Sequence, residues 1–160
     1  MKVLFLDIDG VLNSEAWYRS RPDGPWSEER EIDPEAMWLL RALVRMADCQ
    51  IVISSSWRIG RTLDELRALL PGLPIIDRTP TKTTAETRGA EVKAWLEKHP
   101  EVTAHAILDA NSDFYDDQPL VRTEWKIGLR PRHAERVVQL LSSPPTPNDQ
   151  QISPTTKDPK

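Results

Sequence analysis

Val3-Leu4-Phe5-Leu6-Asp7-Ile8-Asp9-Gly10-Val11 is the stretch that decides the fold of this chain. Val3 to Leu6 is an apolar run without polar alternation, the pattern of a strand covered on both faces. Asp7, Asp9 and Gly10 end it abruptly and mark a turn at its carboxyl end. A strand buried on both faces belongs to a parallel sheet with helices above and below. The rest of the chain should therefore alternate strand and helix.

It does. Residues 13–32 mix charges, tryptophans, Pro22, Gly24 and Pro25, and read as a loop or small flap. Asp33-Pro34-Glu35 reads as a helix start, with Asp33 as N-cap and Pro34 in the first turn. Ala36, Leu40, Leu43, Val44 and Ala47 follow at helical spacing. A second buried strand, Gln50 to Ser54, runs into Ser55-Ser56-Trp57-Arg58. Thr62 and Glu65 have capping-box spacing before a short helix bearing Leu63, Leu66 and Leu70. Leu73 to Ile76 is a short strand, and 79–87 a threonine-rich loop. Val92, Trp95 and Leu96 mark another helix, Ala104 to Leu108 another strand. Residues 121–129 have room for one or two short strands, and Pro131 opens a last helix carrying Ala134, Val137, Val138 and Leu141. Trp38 and Trp95 are expected to pack against the sheet. From Ser142 onward the composition is too polar to offset its ordering entropy, so residues 142–160 are expected to be a disordered tail after a domain of residues 1–141.

The length of 160 residues suits one domain. With 21 basic and 25 acidic residues the net charge is −4. That balance argues against a broad nucleic-acid-binding surface, while leaving room for a local basic patch or for a phosphate site whose metal supplies the positive charge. The one cysteine, Cys49, precludes an internal disulfide, fits a reducing compartment and reads as a core residue. Acidic residues interrupt the apolar start at once, and no apolar run approaches membrane-spanning length. The expectation is a cytoplasmic protein without a membrane partner.

In an open α/β sheet, ligands bind at the carboxyl ends of the strands. Asp7 and Asp9 follow the first strand, Ser54 and Ser55 the second, Asp109 and Asp113 the strand from Ala104. Clustered carboxylates are unfavourable unless protons or a cation compensate them, and oxygen ligands of this kind suit Mg²⁺. A metal-neutralised carboxylate can attack phosphorus, and a second one two residues on can protonate the leaving oxygen and then deprotonate water. Serine hydroxyls and backbone amides can hold the other phosphate oxygens. Ser54 to Ser56 could equally cap the next helix. Arg58, beside them, is open between a substrate contact and a structural salt bridge. His99, His105 and His133 lack metal-ligand spacing.

Asp7-Ile8-Asp9-Gly10-Val11 resembles the first motif of haloacid-dehalogenase-like phosphatases. Ile51-Val52-Ile53-Ser54 is similar to their second motif and Asp109 with Asp113 to their fourth. The third is a basic residue upstream of the fourth. Arg88, Lys82 and Lys93 are the candidates, with Arg88 favoured because it opens the helix before the fourth-motif strand. The wording Leu-Asp-Ile-Asp-Gly-Val-Leu-Asn, Ser-Ser-Ser-Trp-Arg and Arg-Gly-Ala-Glu-Val-Lys-Ala-Trp-Leu is similar to a branch found in multi-enzyme RNA-repair proteins, over roughly residues 1–141. The resemblance implies a Rossmann-like three-layer α/β/α sandwich around a parallel sheet. It implies Asp7 as nucleophile, Asp9 as general acid and base, and Ser54 and Arg88 around the phosphoryl group; Ser55 and Arg58 join them as candidates by their place in the same loop. Mg²⁺ would be held by Asp7, Asp9, Asp109 and Asp113. Ala110 departs from the branch, which often has a second aspartate there, so metal binding leans on Asp109 and Asp113.

Neither insertion after the first two motifs holds a large cap domain, so the site should be open to a phosphorylated substrate as large as a nucleotide or polynucleotide end. Trp17, Tyr18, Arg19, Arg21 and Trp26 interleave aromatics with arginines in the flap, a combination that can stack bases and meet backbone phosphates, or simply pack the flap down. The expected function is Mg-dependent phosphomonoester hydrolysis. The alternatives are a phosphate-binding module that has lost turnover and a phosphotransferase.

Overall fold

A computed structural model describes residues 1–21, 31–81 and 87–142. Trp26 with the rest of the flap core (22–30), Lys82, and the expected tail from residue 143 lie outside the described residues. Five strands, β1 (Lys2–Leu6), β2 (Gln50–Ile53), β3 (Ile75–Arg78), β4 (Ala104–Asp109) and β5 (Leu120–Arg122), form one sheet in the order β3-β2-β1-β4-β5. Every pairing in it is parallel. The chain steps outward from β1 to β3, then crosses back to place β4 on the other side of β1. The direction of winding therefore reverses between β1 and β4.

The single-residue alternation of a strand splits β1 between two cores. Leu4 and Leu6 join residues of helices α2 (Pro34–Ala47), α3 (Leu63–Leu69) and α5 (Pro131–Ser142) in one apolar cluster. Val3 and Phe5 join Val52, Ile107, and Val92 and Trp95 of α4 (Arg88–Leu96) in the other. These are the three layers the sequence implies. Asp33 caps α2, accepting from the Glu35 amide, and Thr62 and Glu65 form the reciprocal capping box of α3. No helix among the described residues is long and apolar enough to cross a membrane.

Three expectations need correction. Residues 15–20 are not loop but a six-residue helix, α1 (Glu15–Ser20), capped by the Ser14 hydroxyl, which accepts from the Trp17 amide, with Arg19 paired to Glu15 one turn back. An element this short shows no apolar period to read. The third strand lies two residues later than Leu73 to Ile76, because pairing of Asp77 and Arg78 with Val52 and Ile53, rather than apolarity, sets its extent. Trp38 does not face the sheet and is 67% exposed. It stands two residues, about 200°, from Leu40 around the helix, on the side opposite the buried stripe. The last helix also runs through Ser142, and 121–129 holds one strand plus an isolated Glu124–Gly128 bridge.

Trp95, by contrast, is 3% exposed, meets Phe5 edge-to-face with ring centroids 5.4 Å apart, and donates its indole N–H to Asp77 at 2.7 Å. Trp95→Ala should therefore lower the unfolding free energy in urea by about 3–5 kcal/mol, and Trp38→Ala by no more than about 0.5 kcal/mol.

Candidate active site

Asp7 directly follows β1 and Asp109 is the last residue of β4, so the two acids sit on adjacent parallel strands at the point where the winding reverses. The Asp7 amide donates to the Leu108 carbonyl at 3.0 Å, and both side chains are fully buried. One guanidinium nitrogen of Arg88 bridges them, 3.1 Å from Asp7 Oδ2 and 2.6 Å from Asp109 Oδ2. Arg88 reaches them because α4 starts where it does. The Thr87 hydroxyl accepts from the Ala90 amide, and the Asp113 carboxylate and carbonyl accept from the amides of Arg88 and Gly89. Gly89 is required there, since a Cβ would stand 2.6 Å from Gln118 Oε1 and 2.9 Å from Phe114 Cα.

Burial, then the like charge of Asp109, push the Asp7 carboxyl up from 3.8 to about 6, against the lowering influence of Arg88, Ser55 and the Ile8 backbone. Neither Asp7 oxygen completes a well-aligned hydrogen bond. Burial disfavours the charge on Arg88, but the two carboxylates outweigh it and push its pKa up. No group of three or more His, Cys, Asp or Glu side chains is set to hold a metal among the described residues. Asp7 and Asp109 are joined by Arg88, and Asp113 caps α4 from an exposed position. The donor chemistry still suits a hard cation. Asp7 presents two buried oxygens that complete no well-aligned hydrogen bond beside a second buried carboxylate, an arrangement a divalent ion would neutralise.

Asp9 is held by two donors. The Trp57 indole N–H donates to Oδ2 at 2.9 Å, and the Asn13 amide donates to Oδ1 at 3.0 Å. Gly10 follows with φ +75°, and a Cβ there would lie 2.7 Å from both Ala110 Cβ and the Trp125 ring. The Thr123 hydroxyl donates to the Gly10 carbonyl at 2.7 Å, and the Thr123 amide to the Asp109 carbonyl at 2.9 Å, which ties the first and fourth loops together. Ala110 thus packs against the Asp9–Gly10 turn.

The amides of Ser54 and Ser55 both donate to the Leu6 carbonyl, at 2.9 and 3.3 Å. The Ser54 hydroxyl is buried without a partner, whereas the Ser55 hydroxyl caps a single 3-10 turn over 56–58. Arg58 is 4% exposed and fully engaged. It donates to the carbonyls of Ser54 (2.7 Å), Ser55 (2.8 Å) and Thr79 (3.0 Å) and pairs with Glu91 of α4 at 2.5 Å. Of the two readings of Arg58, the contacts are those of a structural ion pair with Glu91 and of a clasp on the loop carbonyls. In the flap, Arg21 is buried with its guanidinium carbon 5.9 Å from the Trp17 ring centroid and 5.7 Å from that of Tyr18, the packing alternative for these aromatics. The Tyr18 phenol is pushed up by burial and by the charges of Glu31 and Asp9. Asn13, Trp57 and Glu91 stand within the motif wording without a role of their own, and Thr123 has no reading from sequence. Each acts through a partner distant in the chain or through one atom of a loop, which leaves no periodic signal.

A family model described as the HAD domain in Swiss Army Knife RNA repair proteins matches residues 3–134. No curated protein and no solved structure matches the chain.

Two outcomes follow from this geometry. Because the folded-state pKa of Asp7 is raised, its favourable contribution holds below about pH 4 and is lost as pH rises through 6. In EDTA, Asp7→Asn should match the wild type in urea at pH 4 and exceed it near pH 7.5, by up to about 3 kcal/mol. Arg58→Ala leaves Glu91 buried and unpaired and should cost about 3–5 kcal/mol, whereas pairing it with Glu91→Leu should recover part of that loss in the same urea melts.

Proposed function

Since the chain belongs to the family of HAD domains found in Swiss Army Knife RNA repair proteins, we propose that residues 1–141 form a magnesium-dependent phosphomonoester hydrolase with Asp7 as nucleophile. One observation carries this reading above the rest. A fully buried carboxylate with no well-aligned hydrogen bond stands at the end of the central strand, beside a second buried acid and an arginine. A group merely serving the fold would be hydrogen-bonded.

Mg²⁺, when bound, would be held by Asp7, Asp109 and the main chain at Asp9, with Asp113 able to contribute from the edge; it supplies charge neutralisation for the carboxylates and the phosphoryl oxygens. The remaining chemistry belongs to the chain. An Asp7 oxygen forms a bond to phosphorus while the bond to the leaving oxygen breaks. Asp9 gives its proton to that oxygen as it departs with the electron pair. Water then attacks the aspartyl-phosphate, Asp9 takes the proton from it, and phosphate leaves as the phosphorus bond to Asp7 breaks. The unpartnered Ser54 hydroxyl and Arg88 are the groups available to hold the non-reacting oxygens.

The substrate class follows from openness and family. The described part of the first insertion is a single six-residue helix, so nothing of cap-domain size covers the site among the described residues. An open site admits a large phosphate ester, and the family's occurrence in RNA repair proteins favours a nucleotide or polynucleotide end.

The test is phosphate release from an aryl phosphate with and without Mg²⁺. Release should require Mg²⁺ and fall by at least about a thousandfold in Asp7→Asn. Oligonucleotides phosphorylated at the 3′ or 5′ end should then be hydrolysed with higher kcat/KM than inorganic pyrophosphate or phosphosugars. A folded wild type inactive on every ester would leave a phosphate-binding module instead.

A further inference from the structure

The hydrolytic scheme gives Asp9 a proton to carry and leaves its two hydrogen-bond donors without a task. Both donors are themselves fixed. Asn13 is 1% exposed, and its side-chain oxygen already accepts from the Gly10 amide at 2.8 Å. The Trp57 amide donates to the Ser55 hydroxyl at 3.4 Å, and its carbonyl accepts from the Arg61 guanidinium at 3.0 Å. The same guanidinium carbon stands 5.5 Å from the indole centroid. Neither side chain can turn from Asp9 without breaking a second contact.

We propose that Trp57 and Asn13 are positioning residues that lock the Asp9 carboxyl for proton transfer to the leaving oxygen. The inference rests on Asp9 acting as the general acid of the proposed hydrolase. The terminal torsion of an aspartate is broad, so an unheld carboxyl samples many orientations. A donor on each oxygen reduces these to one plane. An ionised carboxylate offers about four acceptor positions, so two remain for the proton. The chemistry of the two donors adds direction. Indole N–H donates only, and the amide of Asn13 meets Asp9 through its NH₂ while its oxygen is occupied by Gly10. Neither can accept the proton of protonated Asp9. It passes instead on the open side, where the departing oxygen of the substrate would stand. In the step concerned, the Asp7–phosphorus bond forms, the phosphorus bond to the leaving oxygen breaks with its electron pair staying on that oxygen, and the Asp9 proton goes to it.

The packing gives a reason for an indole at position 57. It spans from the second-motif loop to the first, a separation of 48 residues in the chain.

The experiment compares kcat/KM for an alkyl phosphate with that for 4-nitrophenyl phosphate in Mg²⁺, for the wild type, Trp57→Phe and Asn13→Ala. A nitrophenolate needs little protonation to leave, whereas an alkoxide needs it fully. Loss of positioning should lower the alkyl-to-aryl ratio of kcat/KM by about tenfold or more in each variant. A merely structural role would lower both esters by the same factor, and an unchanged ratio in folded protein overturns the inference. An independent readout is the Trp57 indole N–H resonance, assigned by its loss in Trp57→Phe. It should shift in Asp9→Asn, and a resonance that does not move also overturns the inference. A wild type inactive on both esters would instead sink the hydrolase reading, on which the inference depends, and is distinguished by the absence of any ratio to compare.

Discussion

Two carboxylates, Asp7 and Asp109, stand side by side without access to water, and their mutual repulsion must be met by positive charge. Most of the local architecture follows from that demand. Parallel pairing of β1 with β4 brings the two acids together. The crossover from β3 to β4 carries α4 over the other face of the sheet, and the first residue of that helix is the arginine that bridges them. The balance is incomplete. One guanidinium faces two acids, and Asp7 remains poorly hydrogen-bonded with its pKa drawn up to about 6. A site left short of positive charge favours whatever brings more of it.

Holding that balance requires the strand ends to be rigid, and Arg58 does much of this. Its guanidinium gathers the carbonyls of the second-strand loop and of Thr79, after β3, and ties them to Glu91, one turn along the helix from Arg88. The buried pair thereby sets both the hydroxyl-bearing loop and the helix that carries the bridging arginine. Thr123 does the corresponding work on the other side, joining the Asp9–Gly10 turn to the end of β4. Around a charge-strained centre the fold thus places Arg58 and Thr123, whose hydrogen bonds join the neighbouring loops in a low-dielectric surrounding.

The parts legible in the sequence were those with local causes. The apolar run of β1 announced a buried parallel strand, the Asp33-Pro34 and Thr62–Glu65 pairs announced helix starts, and the acids stood where strands ended. Helix α1 escaped because six residues carry no period, and the true extent of β3 escaped because its last residues are polar and owe their conformation to β2. Trp38 is exposed despite its bulk and apolarity because helical phase, not residue type, decides which side of α2 meets the sheet.

The sequence by itself determined the α/β class, the family, and which acids and hydroxyls lie at strand ends, because strand burial, capping and motif spacing are short-range properties written in neighbouring residues. Only the tertiary structure decided which side chains meet. Arg88 bridges Asp7 and Asp109 across separations of 81 and 21 residues, Arg58 pairs with Glu91, and Trp57 and Asn13 grip Asp9. Such contacts depend on strand order and helix phase together. A long polar side chain can reach several partners from one backbone position, and which one it takes is settled by what the rest of the fold brings within about 3 Å.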